Sequence, residues 1–426
     1  MAVVVAKFGG TSVASPERIQ NVAKRLIKIK QAGNDVVAVV SAMGKTTDEL
    51  VGLADALNDH PSPREMDMLL STGEQVSMSL LAMAINARGY RSASFTGWQS
   101  GILTDSHFSS AKIESVDARR IREKLDQGAI VVVAGFQGIT KDGEITTLGR
   151  GGSDTTAVAI AWGLNADVCE IYSDVDGVYT ADPRVAPRAK KLDQISYEDM
   201  LELSSSGAGV LQSRAVELAR KYHVVIHSRS SFSDAPGTLI KEADPSMEQA
   251  VITGVAHDTS EIKITIRGLD DQSGIAAQLF SALASDNVNV DMIIQNTAVD
   301  GHADISFTCP AADRSRAEDT VSRICKHLGA KDYIVNDNIA KVSIVGTGMK
   351  SSPGVAAKAF QTLGENKVNI LMIATSPIRL SVVVDGDQAE LAVSCLHTAF
   401  GLDSDSVFKE TSLSAEELAA KAKKGR

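Results

Sequence analysis

The stretch AVVVAKFGGTSVASPERIQNVAKRLIKIKQAGNDVVAVVS, residues 2–41, decides the architecture. AVVVAKF (2–8) is a short apolar run of the kind that makes a buried strand. Ser15 then suits an N-cap, with Pro16 at the first helical position. Ile19, Val22, Leu26 and Ile29 recur at helical spacing, and Gly33 ends the pattern. DVVAVVS (35–41) is a second strand. A strand, a helix and a strand at this spacing argue a parallel sheet covered by helices.

The same alternation runs on to about residue 240. A helical stretch covers roughly residues 63–88, and SASFTGW, AIVVVAGF, ADVCEIYS and VVIHSR are further strands. DAPGTLIKEADPSMEQ (234–249) is rich in Pro, Gly and charge and reads as a linker. Beyond it lies an internal repeat. GIAAQLFSALASDNVNVDMI (274–293) returns as GVAAKAFQTLGENKVNILMI (354–373). Each copy follows a strand (IKITI, KVSIV) and precedes another (ADISFTC, RLSVVVD). The period is too long for a solenoid and indicates two tandem α+β domains.

Composition narrows the function. The 426 residues carry a net charge of −10, which argues against a nucleic-acid surface. No pair of the four cysteines has CxxC spacing, so neither a zinc site nor a redox motif is indicated. MAVVVAKFGG has no basic flank for a signal peptide, and AIVVVAGF is far short of a membrane span. These features predict a soluble, cytoplasmic protein with no membrane partner.

Five loops carry residues suited to chemistry. In KFGGTS (7–12), Gly9 and Gly10 allow close backbone approach, and Lys7 places a cation at the C-terminal end of a strand. It suits ATP phosphates, or is a strand-end lysine beside a turn. SAMGKTTDEL (41–50) sets Ser41, Gly44 and Thr47 on the same sheet edge, though Thr46 or Thr47 also suits an N-cap. STGEQ (71–75) puts Glu74 among apolar residues, where a carboxylate needs a cation, either internal or a substrate ammonium. LGRGGSDTTA (148–157) is neither a P-loop nor a dinucleotide fingerprint. No lysine follows its glycines, and Asp154 stands where GxGxxG has its last glycine. Ser153 is predicted as the N-cap of the next helix, whose N-terminus suits an anion. Arg150 offers a bidentate donor to a carboxylate, and Asp154 a partner for Lys7. In SDVDGVYTADPR (173–184), Asp174 suits ribose hydroxyls, Tyr179 a base and Arg184 a phosphate, unless DVDG is only a turn.

With these five loops in this order, followed by the repeat, the chain resembles the aspartate kinases. These are amino-acid-kinase-superfamily enzymes carrying two ACT domains. The resemblance implies a three-layer sandwich around a mostly parallel sheet (residues 1–240) and a linker (241–250). Two ferredoxin-like ACT domains (251–335 and 336–412) and a basic tail (413–426) would follow. It implies transfer of the ATP γ-phosphoryl group to the side-chain carboxylate of L-aspartate, with Mg²⁺ bridging the phosphates. Lys7 and Asp154 would be catalytic. Gly9, Gly10 and Ser41 would line the phosphate path. Thr47, Glu74, Arg150 and Ser153 would hold aspartate, and Ser173, Asp174, Tyr179 and Arg184 the nucleotide. Many relatives carry lysine in the segment SGAxVL where this chain has Gly209; the resemblance implies nucleotide contacts at residues 207–211, with that lysine's role lost or moved here.

The resemblance also implies effector pockets for lysine and threonine. Asp271, Ser273, Gly274, Asp291 and Gln295 are the candidates in the first copy, and Ala356, Asn369, Thr375 and Ser376 in the second. A homodimer through the ACT domains is expected, or an α2β2 assembly if Met247 serves as an internal start. An N-acetylglutamate or UMP kinase is the rival within the superfamily, and an inactive amino-acid sensor the rival outside it.

Overall fold

The structure is a computed structural model that describes residues 2–244, 251–296, 301–352 and 354–404. Met247 and the tail at 413–426 lie outside the described residues. The first domain runs β1 (Val3–Phe8), α1 (Pro16–Gln31), β2 (Asp35–Val40), α2 (Thr46–Asp55), α3 (Pro63–Leu70), α4 (Thr72–Asn86), β3 (Ser92–Phe95). It continues β4 (Ile102–Thr104), β5 (Ile113–Val116), α5 (Arg119–Asp126), β6 (Ile130–Ala134), β7 (Gln137–Ile139), β8 (Ile145–Thr147), α6 (Gly152–Leu164), β9 (Val168–Ser173). It closes with β10 (Gln194–Ser196), α7 (Tyr197–Ser205), α8 (Ser213–Tyr222), β11 (Ile226–Ser230) and β12 (Thr238–Lys241).

Eight of these strands form one sheet in the order β10-β12-β11-β9-β1-β2-β6-β3. Only the β11–β12 pair is antiparallel. The alternation of side chains along each strand builds two cores. Ala6, Phe8, Ala38 and Val40 pack under α1 and α4. Val3, Val5, Val37 and Val39 pack under α5, α6 and α8. Helices on both faces make the three layers. Ser15 caps α1 by accepting from the Arg18 amide, with Pro16 at the first turn.

Two boundaries in this part of the chain differ from the sequence reading. The helical stretch at 63–88 is two helices meeting at Ser71. Part of the segment read as a linker, Thr238–Lys241, is strand β12, because the Thr238 hydroxyl bonds the Leu192 carbonyl and accepts from the Val178 amide. A buried threonine makes a strand out of a segment that Pro236 and Gly237 only introduce.

The rest of the chain holds two α+β units. Their elements are β13 (Gly254–Asp258), β14 (Glu261–Asp270), α9 (Ile275–Ser285), β15 (Ile293–Gln295), β16 (His302–Pro310), α10 (Arg314–Leu328) and β17 (Asp332–Asn336). Then come β18 (Ile339–Val345), α11 (Val355–Glu365), β19 (Met372–Ser376), β20 (Arg379–Asp385) and α12 (Ala389–Ala399). The repeat extends to the backbone. Gly274 and Gly354 both precede their helices with φ near +96° (96° and 97°), and Asn287 and Lys367 both turn left-handed after them (φ 54° and 58°).

The sheets are ordered β15-β16-β14-β17 and β13-β18-β20-β19. Strand β13 therefore pairs with β18 of the second unit, although the repeat alone assigns residues 254–258 to the first. The second unit also packs against the first domain, with Ala181, Ala186 and Val255 in one core with Leu363 and Leu396. Leu363 is fully buried there. Leu363→Ala is expected to cost about 2–5 kcal/mol, read as a lower midpoint in urea denaturation.

Candidate active site

The site forms at the C-terminal ends of the parallel strands. Val3, Val5 and Lys7 share one face of β1, the face that α6 covers, so Lys7 meets the first turn of that helix. Its Nζ lies 2.5 Å from Asp154 Oδ1, and both side chains are nearly buried. Asp154 Oδ1 has no hydrogen-bond partner beyond this ammonium. An added Cβ on Gly10 would lie 2.9 Å from the Ala42 carbonyl, so this turn sits tight against the next strand's loop.

Gly149 and Gly151 both adopt positive φ (77° and 71°) ahead of α6. The helix begins at Gly152 with Gly151 at the cap position, which corrects the prediction of Ser153 as N-cap. The left-handed Gly151 turns the chain early and leaves Ser153 inside the first turn, nearly buried. Arg150 projects from this loop and is exposed.

Glu74 is 3% exposed. Its Oε1 accepts from the Ala42 amide at 3.0 Å, while Oε2 is buried without a hydrogen-bond partner. Burial pushes this carboxyl up to about 7, against a smaller opposing effect of the Ala42 N–H. Among the described residues no cation pairs with Glu74, so the internal salt bridge that the sequence also allowed does not form. Thr46 and Thr47 do not cap α2. Lys45 occupies the cap, and the Thr46 hydroxyl donates to the Met43 carbonyl. The Ser41 amide bonds the Phe8 carbonyl, which joins the β1 and β2 loops.

Beside this cluster lies a cavity of 680 Å³. Ser173, Asp174, Tyr179, Arg184 and Gly209 all line it. In the structure Arg184 forks onto Asp182 (Nη2–Oδ2 2.7 Å) and the Tyr179 hydroxyl donates to Asp176. No heavy atom lies within 4 Å of a Cβ added to Gly209, so a longer side chain has room there. The wall opposite is Val255, Ala256 and His257, from the regulatory half.

The sequence reading missed the residues that hold the loops. Fully buried Asp67 accepts from the Ser109 amide and from the amide and hydroxyl of Thr147. Arg214 donates to the carbonyls of Leu148 and Ala111. Asp67 carried the same signal as Glu74, an acid inside an apolar helix. Arg214 carried none.

The effector candidates divide between the two units, some at the starts of α9 and α11 and the others on or beside strands β15 and β19. Asp271, Ser273, Gly274 and Gln295 are exposed, as are Ala356, Asn369 and Thr375, and Ser376 is half-buried. Asp291 is already engaged: Lys341 Nζ lies 2.5 Å from it and 2.6 Å from Glu261.

The amino acid kinase family model matches residues 2–228, and an ACT domain model matches 256–324 and 342–400. An aspartokinase of Mycolicibacterium smegmatis is 52% identical over 410 residues, covering 95% of this chain and 97% of the relative. The E. coli aspartokinase III structure in complex with aspartate and ADP (R-state) superposes with a TM-score of 0.78 at 26% identity, covering 93% of this chain and 99% of that one. The E. coli enzyme in complex with lysine and aspartate (T-state) gives 0.75 at the same identity, with the same coverage of both chains.

The raised pKa of Glu74 sets a pH test. Stability owed to its protonation is full below the ordinary range near 4.5 and is lost as pH rises through about 7, unless a cation pairs with it. Stabilisation of the melting temperature by saturating aspartate should therefore grow between about pH 5.5 and pH 8. In Glu74→Gln it should stay flat and small. In its fold, its paired regulatory units and its near full-length identity to named relatives, the chain belongs to the aspartokinase family.

Proposed function

We propose that the chain transfers the γ-phosphoryl group of ATP to the side-chain carboxylate of L-aspartate, giving 4-phospho-L-aspartate and ADP. The observation that carries this reading is the free, buried Oε2 of Glu74 within the same strand-end cluster as the Lys7–Asp154 pair. Glu74 takes the substrate ammonium and Arg150 its α-carboxylate. Thr47 and Ser153 supply hydroxyls, with Ser41 beside them. An N-acetylated amine would leave Glu74 without its cation.

The substrate carboxylate is the nucleophile and needs no general base. One of its oxygens forms the new bond to phosphorus as the bond to the ADP oxygen breaks. Catalysis is then positioning and charge neutralisation. Lys7 neutralises the transferring group, held by Asp154, and Gly9 and Gly10 present backbone amides to the phosphates. The 680 Å³ cavity holds the nucleotide. Among the described residues no group of three or more His, Cys, Asp or Glu could cage a metal. Mg²⁺ would enter as part of the nucleotide substrate, held by its phosphates.

Lysine and threonine act together as feedback inhibitors through the two glycine-flanked regions of the ACT units. Edge strands β15 and β19 sit at equivalent positions of the repeat and expose Ile293 and Ile373. An open, apolar strand edge favours pairing with a second copy, which supports a homodimer through the ACT domains. An α2β2 assembly would need translation from Met247 and shows as a second band on a gel of the native protein.

The test is acyl phosphate formation, trapped as the hydroxamate, with aspartate, glutamate and N-acetylglutamate in parallel. Product is expected with aspartate alone and is expected to fall when lysine and threonine are both added. No product from aspartate would favour a sensor. Lys7→Met is expected to lower kcat by roughly 10²–10³-fold with a smaller change in the aspartate KM. Gly209→Lys, filling open space beside the nucleotide, is expected to lower the ATP KM several-fold in the same assay.

A further inference from the structure

The nucleotide cavity has a wall that the first domain does not supply. Strand β13 lies along it, and the Val255 amide donates to the Thr180 carbonyl at 2.8 Å. A Cβ on Gly207 would fall 2.0 Å from the His257 carbonyl, so only glycine lets the 206–208 turn pass this strand. Below the wall runs α12 of the second ACT unit. Its His397 is 1% exposed and reaches out of that unit: Nε2 lies 2.9 Å from the hydroxyl oxygen of Thr180.

Thr180 is fully buried and stands at the junction. Its hydroxyl accepts from the Lys190 amide at 2.9 Å, and its own amide donates to the Lys190 carbonyl. It thereby closes the base of the 181–189 loop, which carries Arg184 and follows directly on Tyr179. Arg188 of the same loop reaches Thr398 and Asp403 at the end of α12. Among the described residues the main core of the first ACT unit contains only residues of its own, and its Met292 packs against Ile339, Met372 and Val383 of the second unit rather than against the first domain.

We propose that His397 is a positioning residue for the nucleotide, acting through Thr180 to hold the 180–190 loop, with Arg184 in the cavity wall, against the second ACT unit. The inference rests on the reading of the 680 Å³ cavity as the nucleotide site. A buried imidazole is a costly choice for a helix that only needs packing, since its ring nitrogens require partners. Burial holds its pKa below the usual histidine range, with Asp403 opposing and Arg188 reinforcing the shift. The neutral ring then has one donor and one acceptor nitrogen, and Nε2 serves the threonine in either tautomer. A rigid hydrogen bond at the base of a ligand loop fixes the loop's population of binding-competent states, which changes apparent affinity for the nucleotide alone.

The experiment measures both KM values and kcat for the full chain carrying His397→Leu, His397→Gln, Thr180→Val, or His397→Leu with Thr180→Val. Asp174→Ala serves as a control inside the cavity. His397→Leu and Thr180→Val should each raise the ATP KM about five-fold. The aspartate KM should stay within about two-fold. The double variant should be no worse than either single one, and His397→Gln, whose amide reaches the Nε2 position, should restore most of the loss. Unchanged ATP KM in folded His397→Leu and Thr180→Val, with Asp174→Ala impaired, would overturn the proposal and leave the cavity assignment standing. Equal rises in both KM values without rescue by glutamine would also overturn it, as a general loosening. An unimpaired Asp174→Ala would remove the cavity assignment and this inference with it. Should His397→Leu fail to fold, the near-isosteric Thr180→Val carries the same test from the other side of the bond.

Discussion

Lys7 and Asp154 form an ion pair across the join of strand β1 and helix α6, and the site is arranged around it. An ammonium on the inner face of a central strand is costly unless a counter-charge meets it. The strand's two-residue alternation makes that face non-negotiable, because Val3 and Val5 already point into the core under α6. The helix must therefore start where its first acid reaches the strand end. The left-handed glycines ahead of α6 make that start achievable in a short loop. In consequence the two glycine turns, at 9–10 and 149–152, lie on either side of one charge pair.

Around that pair the polar groups divide by burial. Asp67 is fully buried and spends both oxygens on neighbouring loops. Glu74 is equally deep and spends only one. Two acids seven residues apart on successive helices thus have different tasks. One fixes architecture, and the other keeps an oxygen without a hydrogen-bond partner, which is why the proposed reading gives it the substrate ammonium.

The two ACT units are copies in sequence and in backbone, yet they hold unequal positions. The second takes β13 into its sheet and shares its core with the loop beside the nucleotide cavity. The first is tied to the second through Lys341, whose ammonium meets Glu261 and Asp291. A charge cluster with a buried lysine at its centre thus joins the two units.

The sequence by itself determined the layers, the order of the catalytic loops and the repeat, because these depend on local periodicity, on glycine and on charge at strand ends. Lys7, Glu74, Arg150 and Asp154 were legible for that reason: each breaks an apolar pattern or sits beside glycines. Only the tertiary structure decided which groups remain unpartnered, as Oε2 of Glu74 does, and which are consumed, as Asp291 and Arg184 are. It alone placed residues 254–258 in the second unit, Arg214 under the glycine loop and His397 against Thr180. Those assignments join residues as many as 217 positions apart. They follow from which surfaces pack, a property of the assembled layers that no local pattern encodes.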